Sequence, residues 1–301
     1  MGPTASGKTA LATALLQHFS VDLLSVDSAL VYRGMDIGTA KPSPAELAVC
    51  PHQMIDICDP AESFSAGDFC QYAMRHISTS FQCQRVPLLV GGTMLYFKSL
   101  LDGMNQLPGS NPVLRAEIES EAKAVGWAAL HDRLQAFDPE SHARIHPNDP
   151  QRISRAIEVY RSTGQSLTAL QQTEQTRFPF RSINIILEPR DRAVLHQRIE
   201  QRLDQMFAAG FVDEVRRLYQ RSDLHEDLPA IRCVGYRQVW QYLAGKIDYK
   251  TCREQALYAT RQLAKRQLTW LRRWPPEGER FWIEDIAEDP KPVIQYLQRS
   301  L

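Results

Sequence analysis

The stretch GPTASGKT, residues 2–9, decides how the rest of the sequence is interpreted. Its spacing is G-x-x-x-x-G-K-[ST], in which the glycines allow a loop whose backbone N–H groups face an anion. Lys8 adds a charge for the outer phosphate, and the Thr9 hydroxyl is a ligand for Mg²⁺. A helix predicted over residues 7–19 would point its positive end at the same anion. The string predicts a polyphosphate site without identifying the polyphosphate.

The alternative interpretation of residues 2–9 is a glycine-rich turn that starts a helix and binds nothing. The helical pattern directly after the string favours the polyphosphate site. Such a loop normally follows a buried strand, whereas only Met1 precedes this one. We therefore expect a poorly anchored loop with reduced affinity for its ligand.

The composition is that of a globular protein. The chain has 301 residues, of which 44% are hydrophobic and 23% are charged, and its formal net charge is zero. Zero net charge argues against attraction of the whole surface to nucleic acid, but it leaves room for a local basic patch. No apolar run reaches the roughly 18 residues of a membrane span. Because a leader pattern is also lacking, we expect a cytoplasmic protein that does not bind membranes.

The cysteines give no sign of a metal or disulfide framework. The six cysteines form no C-x-x-C pair, which argues against a zinc or disulfide scaffold. We therefore expect reduced structural thiols.

Short apolar runs alternate with longer helical patterns in most of the chain. Strands are predicted at residues 21–27, 53–59, 86–92, 183–188 and 280–284. Helices are predicted at residues 7–19, 65–82, 93–101 and 191–209. This alternation predicts a doubly wound α/β core with a parallel sheet.

The alternation stops between about residues 110 and 182, where the sequence is helical, charged and punctuated by proline. We interpret residues 111–182 as an inserted all-helical domain. The core domain then comprises residues 1–110 and 183–301.

Asp27 comes at the end of the first predicted strand, within SVDSALVYRGMD. Ligands of open α/β sheets bind at the carboxyl ends of strands. A carboxylate there binds Mg²⁺ or accepts a proton from a nucleophile. The structural alternative is that Asp27 starts a turn, and the nearby glycine-rich loop favours the functional role.

Two further positions have a functional and a structural interpretation. The strand VPLLV ends in Gly91-Gly92-Thr93, where an ATP hydrolase would usually carry Asp or Glu. The glycines allow close backbone approach, while the Thr93 hydroxyl either contacts a ligand or caps the next helix. Arg202 lies on a predicted helix, where its guanidinium suits a diphosphate. Composition alone favours a solvated helix face for Arg202.

Three segments concentrate positive charge in this neutral chain. They are QRISRAIEVYR (151–161), RCVGYRQVW (232–240) and TRQLAKRQLTWLRRW (260–274). Basic side chains with interleaved aromatics suit RNA phosphates and stacked bases. A run of charge is also often a solvated face.

Taken in order, seven blocks of this sequence resemble the bacterial tRNA dimethylallyltransferases, and the resemblance covers nearly the whole chain. The blocks are GPTASGKTALA, SVDSALVYRGMDIGTAKPS, HQMIDICDPAESFSAGDF, LLVGGTMLYF, NDPQRISRAIEVYRSTGQSL, AIRCVGYRQVWQYLAG and AKRQLTWLRR. The resemblance implies a P-loop NTPase-like parallel sheet core with an inserted all-helical domain that binds tRNA. It implies transfer of a dimethylallyl group from dimethylallyl diphosphate to the exocyclic amine of the adenosine 3′ to the anticodon.

The resemblance also implies a set of site residues. Diphosphate would bind at Gly2, Pro3, Thr4, Ala5, Ser6, Gly7, Lys8 and Thr9, with Thr9 on Mg²⁺. The catalytic residues would be Asp27 as general base, Thr93 and Arg202. The tRNA anticodon stem-loop would contact Asp27, Ser28, Ala29, Leu30, Thr93, Arg115, Gln151, Arg152, Ile153, Ser154, Arg155, Arg232, Cys233, Val234, Gly235, Tyr236 and Arg237. Nothing in the sequence demands an oligomer, so we expect a monomer.

Two other functions compete with this one. A small-molecule or nucleoside kinase would use the same loop and the same aspartate, but it leaves the basic helical segment unexplained. A non-enzymatic RNA-binding module would bind RNA tightly and form no product.

Overall fold

The computed structural model describes residues 1–103, 107–172, 178–274 and 278–301. The chain divides into two compact units. The first comprises Met1–Lys98 together with Phe180–Leu301, and the second comprises Ser99–Pro179. The sequence placed the boundaries of the insertion at residues 111 and 182.

The chain is a mixed α/β protein with few strands and many helices. The strands are β1 (Val21–Val26), β2 (His52–Gln53), β3 (Val86–Gly91), β4 (Asn184–Glu188) and β5 (Gly278–Trp282). The helices are α1 (Lys8–Leu16), α2 (Pro44–Val49), α3 (Ala66–Gln82), α4 (Met94–Leu101), α5 (Pro112–Val125), α6 (Trp127–Phe137), α7 (Pro139–Arg144), α8 (Pro150–Thr163), α9 (Leu167–Gln172), α10 (Arg192–Ala208), α11 (Phe211–Tyr219), α12 (Tyr236–Leu243), α13 (Tyr249–Arg272), α14 (Ile283–Glu288) and α15 (Lys291–Ser300). In the part of the chain that the structure describes, no helix is both long and apolar enough to cross a bilayer.

All strand pairs in the first unit are parallel. One sheet has the order β2-β1-β3, and β4 pairs with β5 in a second sheet. The β1–β3 register runs from Val21 opposite Val86 to Val26 opposite Gly91, so both strands end at the same edge. That edge is where an α/β sheet presents its ligand-binding loops.

The prediction of a strand at residues 53–59 is wrong. Only His52 and Gln53 pair with β1. Met54 and Asp56 adopt positive φ angles of 68° and 56°, which no strand residue can keep. The buried ammonium of Lys41 accounts for part of this turn, since it donates to the Asp56 carboxylate at 2.5 Å. The apolar run was therefore the inside of a loop.

The strand predicted at residues 280–284 is present but shifted. It occupies Gly278–Trp282, and α14 begins at Ile283. The helix predicted at residues 191–209 is confirmed, with Asp191 as its N-cap, since its carboxylate accepts from the Ala193 nitrogen at 2.8 Å. Gly210 follows it at φ 95°. The helical pattern thus predicted its element more closely than these two apolar runs did.

The second unit consists of helices in the residues that the structure describes between 99 and 179. Its core is formed by apolar side chains of α5, α6 and α8, among them Ile118, Leu130 and Ile153. Three of its helices begin with proline after a capping Asn or Asp, namely α5, α7 and α8. Proline suits this first position because its missing N–H would have no helical partner there.

A buried carboxylate organises the loop that follows β1. Glu214 on α11 is 2% exposed and accepts from the backbone nitrogens of residues 36, 37 and 38 at 3.0, 2.7 and 3.1 Å. It also accepts from the Tyr236 hydroxyl at 2.5 Å. Sequence patterns gave no indication of this arrangement, because the backbone partners of Glu214 are about 180 residues away.

Replacing this carboxylate should destabilise the first unit strongly. Glu214→Leu leaves three part-buried N–H groups and one buried hydroxyl without an acceptor, at about 1–3 kcal/mol for each group. We expect a loss of at least about 3 kcal/mol in the free energy of unfolding, measured in urea. Tyr236→Phe removes one of the four bonds and should cost about 1 kcal/mol. Equal losses in the two variants would contradict the role of Glu214 as the shared acceptor.

Candidate active site

The glycine-rich loop starts from a short parallel pairing with β4. The Met1 nitrogen donates to the Ile185 carbonyl at 2.7 Å, and the Leu187 nitrogen donates to the Met1 carbonyl at 2.8 Å. Two such bonds on one residue form a parallel bridge. The sequence predicted a poorly anchored loop, but the structure holds its first residue to β4.

Two left-handed residues bend the loop into α1. Ala5 has φ 60° and Gly7 has φ 80°. No side chain caps the N-terminus of α1, whose cap position is Gly7. The N–H groups of the first helical turn are therefore left for a ligand, and the helix dipole favours an anion there. The loop geometry thus agrees with the polyphosphate site expected from residues 2–9.

The side chains of Lys8 and Arg202 are two half-buried cations that interact electrostatically with each other. The Lys8 ammonium donates to the Pro3 carbonyl at 2.5 Å and to the Ser6 hydroxyl at 3.4 Å. Burial lowers the pKa of Lys8 to about 8; the nearby Asp27 charge opposes this shift, and Arg202 adds to it. Burial also lowers the pKa of Arg202, again against the attraction of Asp27. Two desolvated cations near one carboxylate form a site that gains from binding an anion.

Arg202 is not a solvated helix residue. Its guanidinium donates to the Thr39 carbonyl at 3.2 Å. The neighbouring Glu200 pairs with Arg261 at 2.8 Å instead. The alternative drawn from composition, an exposed face balanced by adjacent acids, is therefore wrong for Arg202. Its position depends on the loop after β1, which Glu214 fixes.

Asp27 follows β1 directly. Its Oδ1 accepts from the Ala29 nitrogen at 2.9 Å, so one oxygen starts the turn through Ser28, Ala29 and Leu30. Among the described residues, none donates to its Oδ2. The turn-forming and functional interpretations are thus compatible, since one carboxylate oxygen remains for a proton or a cation.

Thr93 ties the ends of β1 and β3 together. Its hydroxyl accepts from the Ser28 nitrogen at 3.0 Å, and its own nitrogen donates to the Val26 carbonyl at 3.2 Å. Gly91 allows this approach, because a Cβ at that position would collide with the Val26 carbonyl. The Thr93 hydroxyl therefore positions the turn that carries Asp27.

Gln267 is a site residue that the sequence patterns did not reveal. Its Oε1 accepts from the Thr4 nitrogen at 2.8 Å, and its Nε2 donates to the Gly92 carbonyl at 2.9 Å. One side chain of α13 thus joins the glycine-rich loop to the end of β3. The only signal was its place in the block AKRQLTWLRR, where the charges drew attention instead.

The segment 232–237 divides into exposed and buried residues. Arg232 and Arg237 are exposed, whereas Tyr236 is fully buried and bonded to Glu214. The Tyr236 ring is therefore not available to stack on a base. Burial, and then the charge of the nearby Asp27, raise the pKa of the Cys233 thiol to about 12. The half-buried or buried residues between the arginines are Cys233, Val234, Gly235 and Tyr236.

In the second unit, the basic residues singled out from the sequence are partly neutralised. Glu158 is fully buried and accepts from Arg115 at 3.1 and 3.2 Å and from Arg155 at 2.9 Å. Burial alone would raise the pKa of Glu158, but these bonds hold it below its ordinary value. Ile153 lies in the core, Ser154 is half-buried, and Gln151 and Arg152 are exposed. Arg115 and Arg155 therefore also have a structural role.

A family model described as IPP transferase matches residues 30–274. This chain belongs to the IPP transferase family. The membership expected from the seven sequence blocks is confirmed, and the chain is a transferase.

Solved structures support the same assignment. A tRNA isopentenylpyrophosphate transferase from Bacillus halodurans is 35% identical, with a TM-score of 0.71, over 99% of this chain and 93% of its own. One from Staphylococcus epidermidis is 32% identical, with a TM-score of 0.70, over 100% and 96%. A eukaryotic dimethylallyltransferase acting on tRNA shares the fold, with a TM-score of 0.79 at 23% identity over 95% and 73%.

The lowered pKa of Lys8 predicts how this IPP transferase responds to pH. Only the ammonium form attracts an anion, so binding favours proton uptake and affinity falls as pH rises through about 8. We expect the Kd for an alkyl diphosphate to be level from pH 7 to 8 and then to rise up to about tenfold for each pH unit. Titration calorimetry measures this dependence.

Lys8→Arg is the matched control, because a guanidinium stays charged throughout this pH range. It should remove the rise in Kd above pH 8. The same rise in both proteins would assign the titration to another group.

Removing the Gln267 amide should loosen the glycine-rich loop. Gln267→Met keeps the length of the side chain but loses both hydrogen bonds, at a cost of about 1–3 kcal/mol in the free energy of unfolding. We also expect weaker binding of an alkyl diphosphate, because the Thr4 nitrogen is no longer held. Gln255→Met, an exposed position on the same helix, should change neither quantity. Matching behaviour of the two variants would show that Gln267 does not act on the loop.

Proposed function

We propose that the chain transfers a dimethylallyl group from dimethylallyl diphosphate to the exocyclic amine of the adenosine 3′ to the anticodon in tRNA, and releases diphosphate. The observation that carries this proposal is the meeting of Lys8, Arg202 and Asp27 in one half-buried site of an IPP transferase. The names of the two bacterial neighbours and of the eukaryotic enzyme support tRNA as the acceptor.

The donor side of the reaction is an electrostatic problem. An aryl amine is a weak nucleophile, so the allylic carbon must become electrophilic as the C–O bond to diphosphate breaks. Negative charge then develops on the diphosphate. The uncapped N–H groups of α1, Lys8 and Arg202 are positioned to stabilise that charge, and they do so more strongly in a partly desolvated site.

Mg²⁺ fits the oxygen donors of this site. The Thr9 hydroxyl is exposed in the first turn of α1, and Asp27 keeps one carboxylate oxygen without a protein donor among the described residues. Magnesium prefers such oxygen ligands together with substrate phosphates and water. When bound, the ion supplies further positive charge to the leaving diphosphate.

Asp27 is the proposed general base. The turn held by Thr93 and Ala29 fixes the direction of its carboxylate, and Oδ2 is the oxygen left to receive a proton. As the new C–N bond forms, the amine becomes acidic and its proton passes to Asp27.

We propose that the acceptor is an adenine turned out of its stack, since a stacked base cannot reach the donor carbon. Unstacking costs a few kcal/mol, which phosphate contacts can offset. In the first unit, Ser28, Arg232 and Arg237 are exposed near Asp27 and are our candidates for these contacts. In the second unit, we propose Gln151 and Arg152 on α8, and we assign tRNA binding to the inserted helical domain.

The kinase alternative is not favoured by the family match. Within the proposal, the P-loop NTPase-like core holds an isoprenoid diphosphate where a kinase would hold ATP. The sequence Gly91-Gly92-Thr93 supports this, because its glycines pack against Val26 and Gln267 and leave no carboxylate to orient a hydrolytic water.

The proposal predicts prenyl transfer in the absence of any nucleoside triphosphate. The chain is incubated with isotopically labelled dimethylallyl diphosphate, unmodified tRNA and Mg²⁺, and the tRNA nucleosides are analysed by mass spectrometry. We expect labelled dimethylallyladenosine and free diphosphate. A strict requirement for ATP, or a phosphorylated product, would support the kinase instead.

The same assay tests the base. Asp27→Asn is close to isosteric, so we expect tRNA affinity to change little while turnover falls by about 10²-fold or more. Turnover equal to that of the parent chain would refute this assignment and leave the transfer reaction itself intact.

A further inference from the structure

Helices α6 and α7 of the second unit bring together three side chains that sequence spacing did not connect. His131 and Asp132 lie on α6, and His142 lies on α7, eleven positions after His131. The rings of His131 and His142 have centroids 4.4 Å apart. One nitrogen of each ring and one oxygen of Asp132 all lie within 4.8 Å of one another.

The tautomer of His131 follows from its partners. Its Nε2 lies 3.1 Å from the His142 carbonyl oxygen and 2.8 Å from the Ile145 carbonyl oxygen. Carbonyl oxygens only accept, so Nε2 carries the hydrogen. With its hydrogen on Nε2, a neutral ring presents a lone pair at Nδ1.

Among the described residues, no group donates a hydrogen bond to Nδ1 of His131. His131 is 4% exposed, and its Nδ1 makes no hydrogen bond within the described residues. A buried polar atom without a partner costs roughly 1–3 kcal/mol and calls for an explanation. The Asp132 carboxylate lies 3.7 Å from Nδ1 and is itself an acceptor when ionised, and the His142 ring lies beside the His131 ring.

The arrangement is that of a metal ligand. Histidines that bind metals almost always donate their other ring N–H to a backbone carbonyl or a carboxylate, which fixes the tautomer. His131 already has this arrangement, with two carbonyl acceptors. A bound metal ion would accept the Nδ1 lone pair and so remove the free-energy cost of leaving it without a partner.

The ligand atoms are farther apart than a bound ion requires, and the two rings are tilted by 32°, so side chains must move to bind an ion. Zinc bonds of about 2.0–2.2 Å place tetrahedral ligand atoms roughly 3.4 Å apart. Asp132 Oδ1 lies 3.7 Å from His131 Nδ1 and 3.9 Å from His142 Nε2. The Asp132 side chain is 80% exposed and that of His142 is 29% exposed, so both can move while His131 stays fixed.

We infer that His131, Asp132 and His142 form a binding site for a divalent transition ion, with Zn²⁺ as the best match. Two imidazoles and one carboxylate suit Zn²⁺, whereas Mg²⁺ prefers oxygen ligands. Water would complete the coordination. The ion would join α6 to the C-terminal end of α7, so its role is to stabilise the helical unit. This inference does not depend on the proposed prenyl transfer.

Cobalt is the probe, because tetrahedral Co²⁺ absorbs visible light and occupies zinc sites. The full chain is freed of metal with a chelator and titrated with Co²⁺, and Zn²⁺ is then added to displace it. We expect one Co²⁺ per chain with absorption bands of a tetrahedral complex, and loss of these bands on addition of Zn²⁺. Zn²⁺ should also raise the unfolding temperature of the chain.

The variants avoid the buried ligand, whose replacement could unfold the unit. His142→Ala and Asp132→Asn change more exposed side chains, and each should weaken Zn²⁺ binding at least tenfold and remove most of the rise in unfolding temperature. His146→Ala, an exposed histidine of the same unit, is the matched control and should bind as the parent does.

Two results would overturn the inference. One is an absence of Zn²⁺ and Co²⁺ binding to the folded parent chain. The other is binding that His142→Ala leaves unchanged, because the ion would then be held elsewhere.

Discussion

The contact between the ends of β1 and β3 is the constraint on which the site depends. Gly91 lies against the Val26 carbonyl, where any side chain would collide, and Thr93 holds the turn after β1 through the Ser28 nitrogen. Gln267 extends the same contact to the glycine-rich loop by joining Gly92 to Thr4. Three backbone segments far apart in sequence are thus fixed within hydrogen-bond distance of one another. Catalysis by positioned charges requires this rigidity, because electrostatic stabilisation is strong only where the dipoles are already in place.

The site places two cations and one carboxylate in a partly desolvated environment. This arrangement is costly without a ligand, as the lowered pKa of Lys8 and of Arg202 indicates. A bound anion would offset the desolvation free energy of the two cations, Lys8 and Arg202. The carboxylate of Asp27 reduces this cost. A diphosphate donor and an amine acceptor would therefore use the same electrostatic arrangement in two steps.

Ion pairs formed in the tertiary structure determine which of the basic residues are available to bind RNA. Arg115 and Arg155 were both expected to contact tRNA, but the buried Glu158 accepts from both of them. Arg152 and Arg237 have the same side chain and are exposed. Because a guanidinium that pairs with a buried acid has little free charge to offer to a phosphate, the exposed arginines are the better candidates for RNA contacts.

The sequence by itself determined the features that depend on near neighbours in the chain. The spacing of GPTASGKT, the position of Asp27 after an apolar strand and the helices predicted from residues 65 and 191 are local features, and the structure shows a loop, a turn and helix starts at these places. The family also followed from the order of the sequence blocks. Only the tertiary structure decided which apolar run was a loop, that Tyr236 is buried against Glu214, that Gln267 joins the loop to β3 and that His131 meets His142. Each of these depends on a partner whose distance in space is set by packing and not by spacing along the chain, and for that reason periodicity and motif could not reveal it.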